Sequence, residues 1–196
     1  MYHVYNRGNN GSDLFMEKRN YAYFLEKYRK FVLPVAHLYA YCLMKNHFHF
    51  FVCIKSEEEI RAHFNSTGKP NSDVPIEKLV SKAFNSFFKS YSVTINSTYN
   101  RTGRLFEAPH LRKEVTSPDQ ITNLIRYIHL NPQKHRITLN FRDYPYHSFH
   151  DLISSKDTWL ARKEVMNWFI NKEEFIKIHE EESEKLIYDL ETNLYL

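Results

Sequence analysis

Glycine is scarce in this chain, at four residues, and cysteine is scarcer still, at two. So little glycine excludes a collagen-like or low-complexity chain, and abundant aromatics (14 Tyr, 15 Phe, 2 Trp) exclude a disordered one. Cys42 and Cys53 show neither C-x-x-C spacing nor a disulfide-framework pattern, which fits a reducing cytosol. There is no run of eighteen apolar residues, and no N-terminal basic region followed by an apolar block and a cleavage site. The expectation is a cytoplasmic protein that neither spans a membrane nor is secreted. Its 196 residues suit one domain, or one domain with an appendage.

Charge is unevenly placed. Residues 173–191 carry eight acidic side chains against Lys177 and Lys185, a balance of −6 within a chain of +4, which leaves +10 on the remainder. A basic, aromatic-rich body suggests a polyanionic partner, nucleic acid first. An acidic stretch of this kind is ordinarily a solvated helix face, though it would also suit the shielding of a basic groove.

Periodicity orders the chain as β-α-β-β-α-β-α. Tyr2 to Arg7 alternates as a strand and stops at the turn-rich Gly8-Asn9-Asn10-Gly11. A helix over about 17–32 carries Tyr21, Phe24, Leu25, Tyr28, Phe31 and Val32 as a buried stripe. Strands follow over Val35–Leu43 and from His47, in a hairpin across Met44-Lys45-Asn46. Residues 56–76, with Gly68, Pro70 and Pro75, read as a surface loop after a helical turn at Glu57–Phe64. A helix over about 76–95 and an extended segment from Arg104 to Val115 come next. Ser117-Pro118-Asp119-Gln120 is a capped helix start, and that helix is expected to stop near Asn131-Pro132. The first six elements match a ferredoxin-like (RNA-recognition-like) split β-α-β antiparallel sheet, an α+β fold with its helices on one face. This unit would fill residues 1–153, with residues 154–196 a helical, acidic C-terminal extension.

Chemistry concentrates in two places. Met44 to Ile54 is an almost unbroken hydrophobic strand holding two histidines. Side chains alternate along a strand, so His47, His49, Phe51 and Cys53 share one face, and Phe48, Phe50, Val52 and Ile54 share the other, the expected core face. Two imidazoles about 7 Å apart on one strand can converge on a cation; two partly buried histidines with ordinary hydrogen bonds would look the same. On the later helix, Tyr127 and Asn131 lie one turn apart on one side. Should that helix pack beside the histidine strand, two imidazoles and an amide oxygen would form an N₂O site for a hard or borderline divalent cation, next to a phenol able to attack phosphorus.

At these residues the sequence resembles the single-tyrosine HUH transposases (histidine, bulky hydrophobe, histidine), and most closely their REP-associated and insertion-sequence-200-like members. Asn46-His47-Phe48-His49 is similar to the HUH motif and Arg126-Tyr127-Ile128-His129-Leu130-Asn131-Pro132 to the nucleophile block. Tyr2 to Asn10 resembles the opening strand, Tyr41 to Met44 the segment before the motif, Arg101 to Phe106 the segment after the second helix, and Asp143 to Phe149 the closing segment. The blocks are ordered and span about residues 2–152. Lys45 departs from the pattern, where relatives commonly carry proline.

The resemblance implies that His47, His49 and Asn131 hold a divalent metal, Mg²⁺ or Mn²⁺, and that Tyr127 is the nucleophile, ahead of its rivals Tyr91 and Tyr99. It implies cleavage and rejoining of single-stranded DNA bearing hairpin elements, through a 5′-phosphotyrosine. Arg101, Arg104, Arg112 and Lys113 are the candidate DNA grip, with Arg7 and Lys45 nearer the site. Monomers and homodimers both occur in the family, so the resemblance leaves open which chain's histidines Tyr127 serves. Two other readings stand beside it: a non-catalytic hairpin-binding module on the same fold, and an HxH metal-dependent nuclease that uses water.

Overall fold

The computed structural model describes residues 1–68 and 73–192, with side chains to residue 187. Pro70 and the side chains of Asp189 and Glu191 therefore lie outside the described residues. Four strands form one antiparallel sheet: β1 (Tyr2–Arg7), β2 (Ala36–Met44), β3 (His47–Ile54) and β4 (Leu111–Glu114), in the order β2-β3-β1-β4. The helices among the described residues are α1 (Lys18–Phe31), α2 (Glu57–Ser66), α3 (Ile76–Thr98), α4 (Pro118–Lys134), α5 (Phe149–Ile153), α6 (Arg162–Trp168) and α7 (Lys172–Thr192). None is long and apolar enough to cross a membrane.

One face of the sheet follows directly from alternation. Phe48, Phe50 and Val52 are fully buried, and Phe24 of α1 and Phe87 and Phe88 of α3 pack their rings on Phe48 and Phe50. Each such side chain stabilises the fold by about 1.5–3 kcal/mol when removed from water. The Lys45-Asn46 turn between β2 and β3 is pinned from outside: Leu14 and Phe15 donate to the Lys45 carbonyl at 2.8 and 3.1 Å, and Gly8 donates to the Asn46 carbonyl at 2.8 Å.

The opposite face departs from the expected one-sided arrangement. Helices cover both faces: α4 packs on β2 and β3, and α6 packs on β2. Phe51, which alternation puts beside the histidines, is fully buried against Trp168 of α6 and Tyr39. The second layer forms because α5, α6 and α7 bring their own aromatics. Phe149, Phe169 and Phe175 join the same continuous core as Phe24 and Phe50. The acidic stretch docks on this layer, with Glu182 paired to Arg126 at 3.2 Å and Glu180 paired to Arg142.

Three local expectations need correction. Residues 104–115 are mostly irregular, with a cis Ala108–Pro109 bond, and only Leu111–Glu114 pair as a strand. Glu57–Ser66 is a full helix, because Ser56 and Glu59 form a reciprocal capping box. Finally, α4 runs through Pro132 to Lys134 rather than stopping before it. A proline this close to a C-terminus removes one intrahelical bond, and the last turn is held otherwise. His135 donates to the Asn131 carbonyl at 2.9 Å and Ile137 to the Pro132 carbonyl at 2.8 Å, while Gln133 is anchored to Ser183 of α7.

Candidate active site

The register of β1 against β3 builds the site's floor. Tyr5 lies opposite His49 and His3 opposite Phe51, so His3 is the diagonal neighbour of His49 on the face that α4 covers. His49 is buried and His47 half-buried at the end of the strand. Each uses one ring nitrogen within the protein. The Nδ1 of His47 is 2.7 Å from the Asn46 Oδ1, and the Nδ1 of His49 is 2.9 Å from the His3 Nε2. Burial chiefly holds both in the neutral form: the pKa of His47 falls to about 4 through desolvation, with smaller contributions from His135 and Arg7, and that of His49 to about 2 through desolvation, with smaller contributions from His3, His47 and His135. Neutral imidazole is the form that ligates metals.

The helix α4 supplies the opposing wall. Its Ser117 cap forms as expected, with the Ser117 side chain accepting from the Gln120 N–H and the Gln120 side chain reaching back. Ile121, Ile125 and Ile128 are buried as its stripe, but its second half is buried nearly all round because it lies between the sheet and α7. That explains why Asn131 is fully buried. Tyr127 keeps 37% of its surface exposed and sets its ring edge on His49, with centroids 5.5 Å apart. Lys134 stands over the Tyr127 ring at 5.1 Å. A cleft of about 540 Å³ opens here, lined by His47, His49, Tyr127, Tyr5, Asn6, Arg7 and Glu107 among others.

Asn131 donates from Nδ2 to the Tyr127 carbonyl at 3.0 Å, while its Oδ1 is buried without a partner among the described residues. An orphaned buried acceptor costs about 1–3 kcal/mol, and a cation would satisfy it. Among the described residues no three His, Cys, Asp or Glu side chains are gathered in metal-binding geometry. A mononuclear centre at the two imidazoles would need a donor of another type, for which the Asn131 amide, itself not among the residues lining the cleft, is the candidate. The donor set fits a hard or borderline divalent ion.

A solved structure described as "Structure of the REP associates tyrosine transposase bound to a REP hairpin" matches this chain with a TM-score of 0.56 at 13% identity, covering 79% of this chain and 78% of that one. The two chains share a fold. No protein-family model and no curated protein matched.

The remaining candidates separate cleanly. Arg7 lines the cleft in an ion pair with Glu107 at 2.7 Å. Lys45 sits on the hairpin turn and pairs with Asp13 at 2.9 Å. Arg112 and Lys113 point to opposite faces of β4: Arg112 borders a cavity against α3 with Val4 and Phe84, while Lys113 lies opposite His3. Arg104 lines a neighbouring groove that shares Asn6 and Glu107 with the cleft. Arg101 is half-buried, its Nε without a hydrogen-bond partner among the described residues. Neither rival tyrosine reaches the cleft. Tyr91 is fully buried, donating to the Leu14 carbonyl at 2.7 Å, and Tyr99 donates to Asn20 at 3.1 Å.

Sequence reasoning missed His3, Glu107 and His135. His135, whose ring lies 5.1 Å from that of His47, follows Asn131 by one helical turn. Expecting the helix to end at Pro132 concealed it. His129, on the far side of α4 from the cleft, is fully buried; its ring nitrogens lie 2.9 Å from the His179 Nε2 and 2.8 Å from the Ser148 Oγ. It takes no part in the cleft.

Proposed function

We propose that this protein is a metal-dependent transesterase acting on single-stranded DNA at hairpin-bearing sites, through a 5′-phosphotyrosine on Tyr127. In this reading the sheet with α1 and α3 is a ferredoxin-like split β-α-β unit, and α4 to α7 are added on its second face. One observation carries the proposal: within a single chain, Tyr127 leans on His49 in a cleft where His47 and His49 occupy their Nδ1 atoms and leave Nε2 for a ligand. The fold shared with a hairpin-bound tyrosine transposase supports it.

His47, His49 and the Oδ1 of Asn131 would hold Mg²⁺ or Mn²⁺, which when bound would polarise the scissile phosphate and offset its developing charge. The Oη of Tyr127 attacks phosphorus. An Oη–P bond forms, the bond from phosphorus to the 3′-oxygen breaks, the phenol gives up its proton and the departing oxygen gains one. One phosphodiester replaces another, so a second 3′-hydroxyl can reverse the step and join strands. An ordinary phenol, with a pKa near 10, is mostly protonated at neutral pH, so the step needs a proton acceptor. Arg7 and Lys113, on the cleft side of β1 and β4, suit phosphate contacts that fix the strand without reading its sequence.

The test is a denaturation-resistant adduct between the protein and labelled single-stranded hairpin DNA in Mn²⁺. Tyr127→Phe should abolish the adduct and lower rejoining to background. Hairpin binding without an adduct would favour a binding module, and cleavage without an adduct would favour a water-using nuclease.

A further inference from the structure

We infer that His3 is a positioning residue that fixes the tautomer and orientation of His49. The inference rests on the metal-site reading above and extends it to a residue on a different strand. A neutral imidazole carries one N–H, so a ring that offers a lone pair at Nε2 holds its proton on Nδ1, where a hydrogen-bond acceptor must receive it. For His47 that acceptor is an amide oxygen, Asn46 Oδ1, at 2.7 Å, and it can only accept. His49 has no such oxygen. The group at its Nδ1 is the His3 Nε2, 2.9 Å away and 46 residues earlier in the chain.

Register makes this pairing a property of the sheet rather than of a flexible side chain. The His3 position is locked opposite Phe51, which is fully buried, and its ring stacks on Tyr5 at 4.6 Å and on His49 at 5.1 Å. The Tyr127 ring meets His3 edge-on at 6.2 Å as well as His49. His3 thus backs both halves of the site. With its own proton on Nδ1, it accepts from His49 and turns the His49 Nε2 towards the cleft. With the opposite tautomers, His49 would present an N–H there and ligate nothing. Orienting partners of this kind are typically worth about 10–100-fold in metal affinity.

Two variants separate orientation from packing. His3→Phe keeps a ring against Tyr127 and removes the acceptor, while His3→Gln keeps an acceptor. Free Mn²⁺ measured by electron paramagnetic resonance should show affinity about 10–100-fold lower in His3→Phe and mostly restored in His3→Gln, with thermal melting of the metal-free proteins alike. Long-range ¹H–¹⁵N NMR of the metal-free protein, with His49 assigned by its loss in His49→Gln, should show an Nδ1–H imidazole in wild type and an Nε2–H population in His3→Phe. Equal Mn²⁺ affinity in His3→Phe, or an Nε2–H His49 in wild type, overturns the inference. Failure of the metal reading leaves a different mark: Mn²⁺ binding that ignores His47→Ala and His49→Ala, which removes the purpose assigned to His3 and overturns the inference on that separate ground.

Discussion

Asn131 concentrates the conflict between stability and chemistry into one side chain. Its buried Oδ1 has no partner among the described residues, so the metal-free fold bears an unsatisfied carbonyl. Asn131→Leu removes that acceptor at similar volume, and the metal-free protein should melt at the same temperature or higher while losing the stabilisation by Mn²⁺ that the proposed site predicts for wild type. A Leu variant that Mn²⁺ stabilises as much as wild type would show that the amide is no ligand. Gly8 is constrained differently. A Cβ there would stand 1.8 Å from the Ser12 carbonyl oxygen, and the Gly8 N–H is already committed to Asn46. Gly8→Ala should cost about 2 kcal/mol or more in urea denaturation, because backbone must move, and it should disturb the turn that leads into His47. How far each site residue could be read from sequence depends on the distance over which it is defined. His47, His49, Tyr127 and Asn131 stand out through local spacing and block resemblance. His3 does not, because what it does is set by strand register with a residue 46 positions away.

Among the elements, α7 acts as the back plate of α4. His179 lies fully buried on it, with Nδ1 donating to the Phe175 carbonyl at 2.7 Å and Nε2 facing His129. Desolvation first, opposed by that backbone bond, lowers the His179 pKa to about 3. Between that value and the ordinary one near 6.5, the unfolded chain binds a proton that the folded chain refuses. Its contribution is therefore intact above about pH 6.5 and shrinks as pH falls towards 3, by about 1.4 kcal/mol per pH unit. Chemical denaturation across pH 4–7 should show this slope in wild type and a shallower one in His179→Gln. Phe175 is the apolar counterpart, fully buried with its ring 4.9 Å from Phe169 and 5.5 Å from Phe149. Phe175→Ala should cost about 3–5 kcal/mol and reduce adduct formation at Tyr127, measured at a temperature where the variant remains folded. The start of α4 is readable because its capping box is written in four consecutive residues. Its end is not, because the turn beyond Pro132 is held by Gln133 and Ser183, a pairing 50 positions apart.

At the scale of the molecule, the acidic and basic parts do not face each other as two blocks. Glu180 and Glu182 pair with Arg142 and Arg126, so the acidic helix meets arginines of the body one to one. Arg104, Arg112 and Lys113 have no acidic partner within ion-pair distance among the described residues. On the proposed function, the salt dependence of DNA binding should fall when Lys113 or Arg104 is neutralised. Each cation that no longer meets a phosphate lowers that slope by about 0.7 for a single strand. Arg126 and Arg142, which pair with α7 and do not line the cleft, should contribute least to it. The two-sided layering is hidden from sequence because alternation assigns Phe51 a face but cannot name what covers it; Trp168, 117 positions later, does so.

The back plate also sets a timetable. The ribosome delivers the β2–β3 hairpin, with both histidines, while Tyr127 is still 73 residues from synthesis, and the helix that seals α4 comes later again. At about 5–20 residues per second, several seconds separate the two halves. The nascent chain thus carries an open imidazole pair before the proposed nucleophile exists, and on the proposed function strand cutting would wait for a helix that lines no part of the cleft.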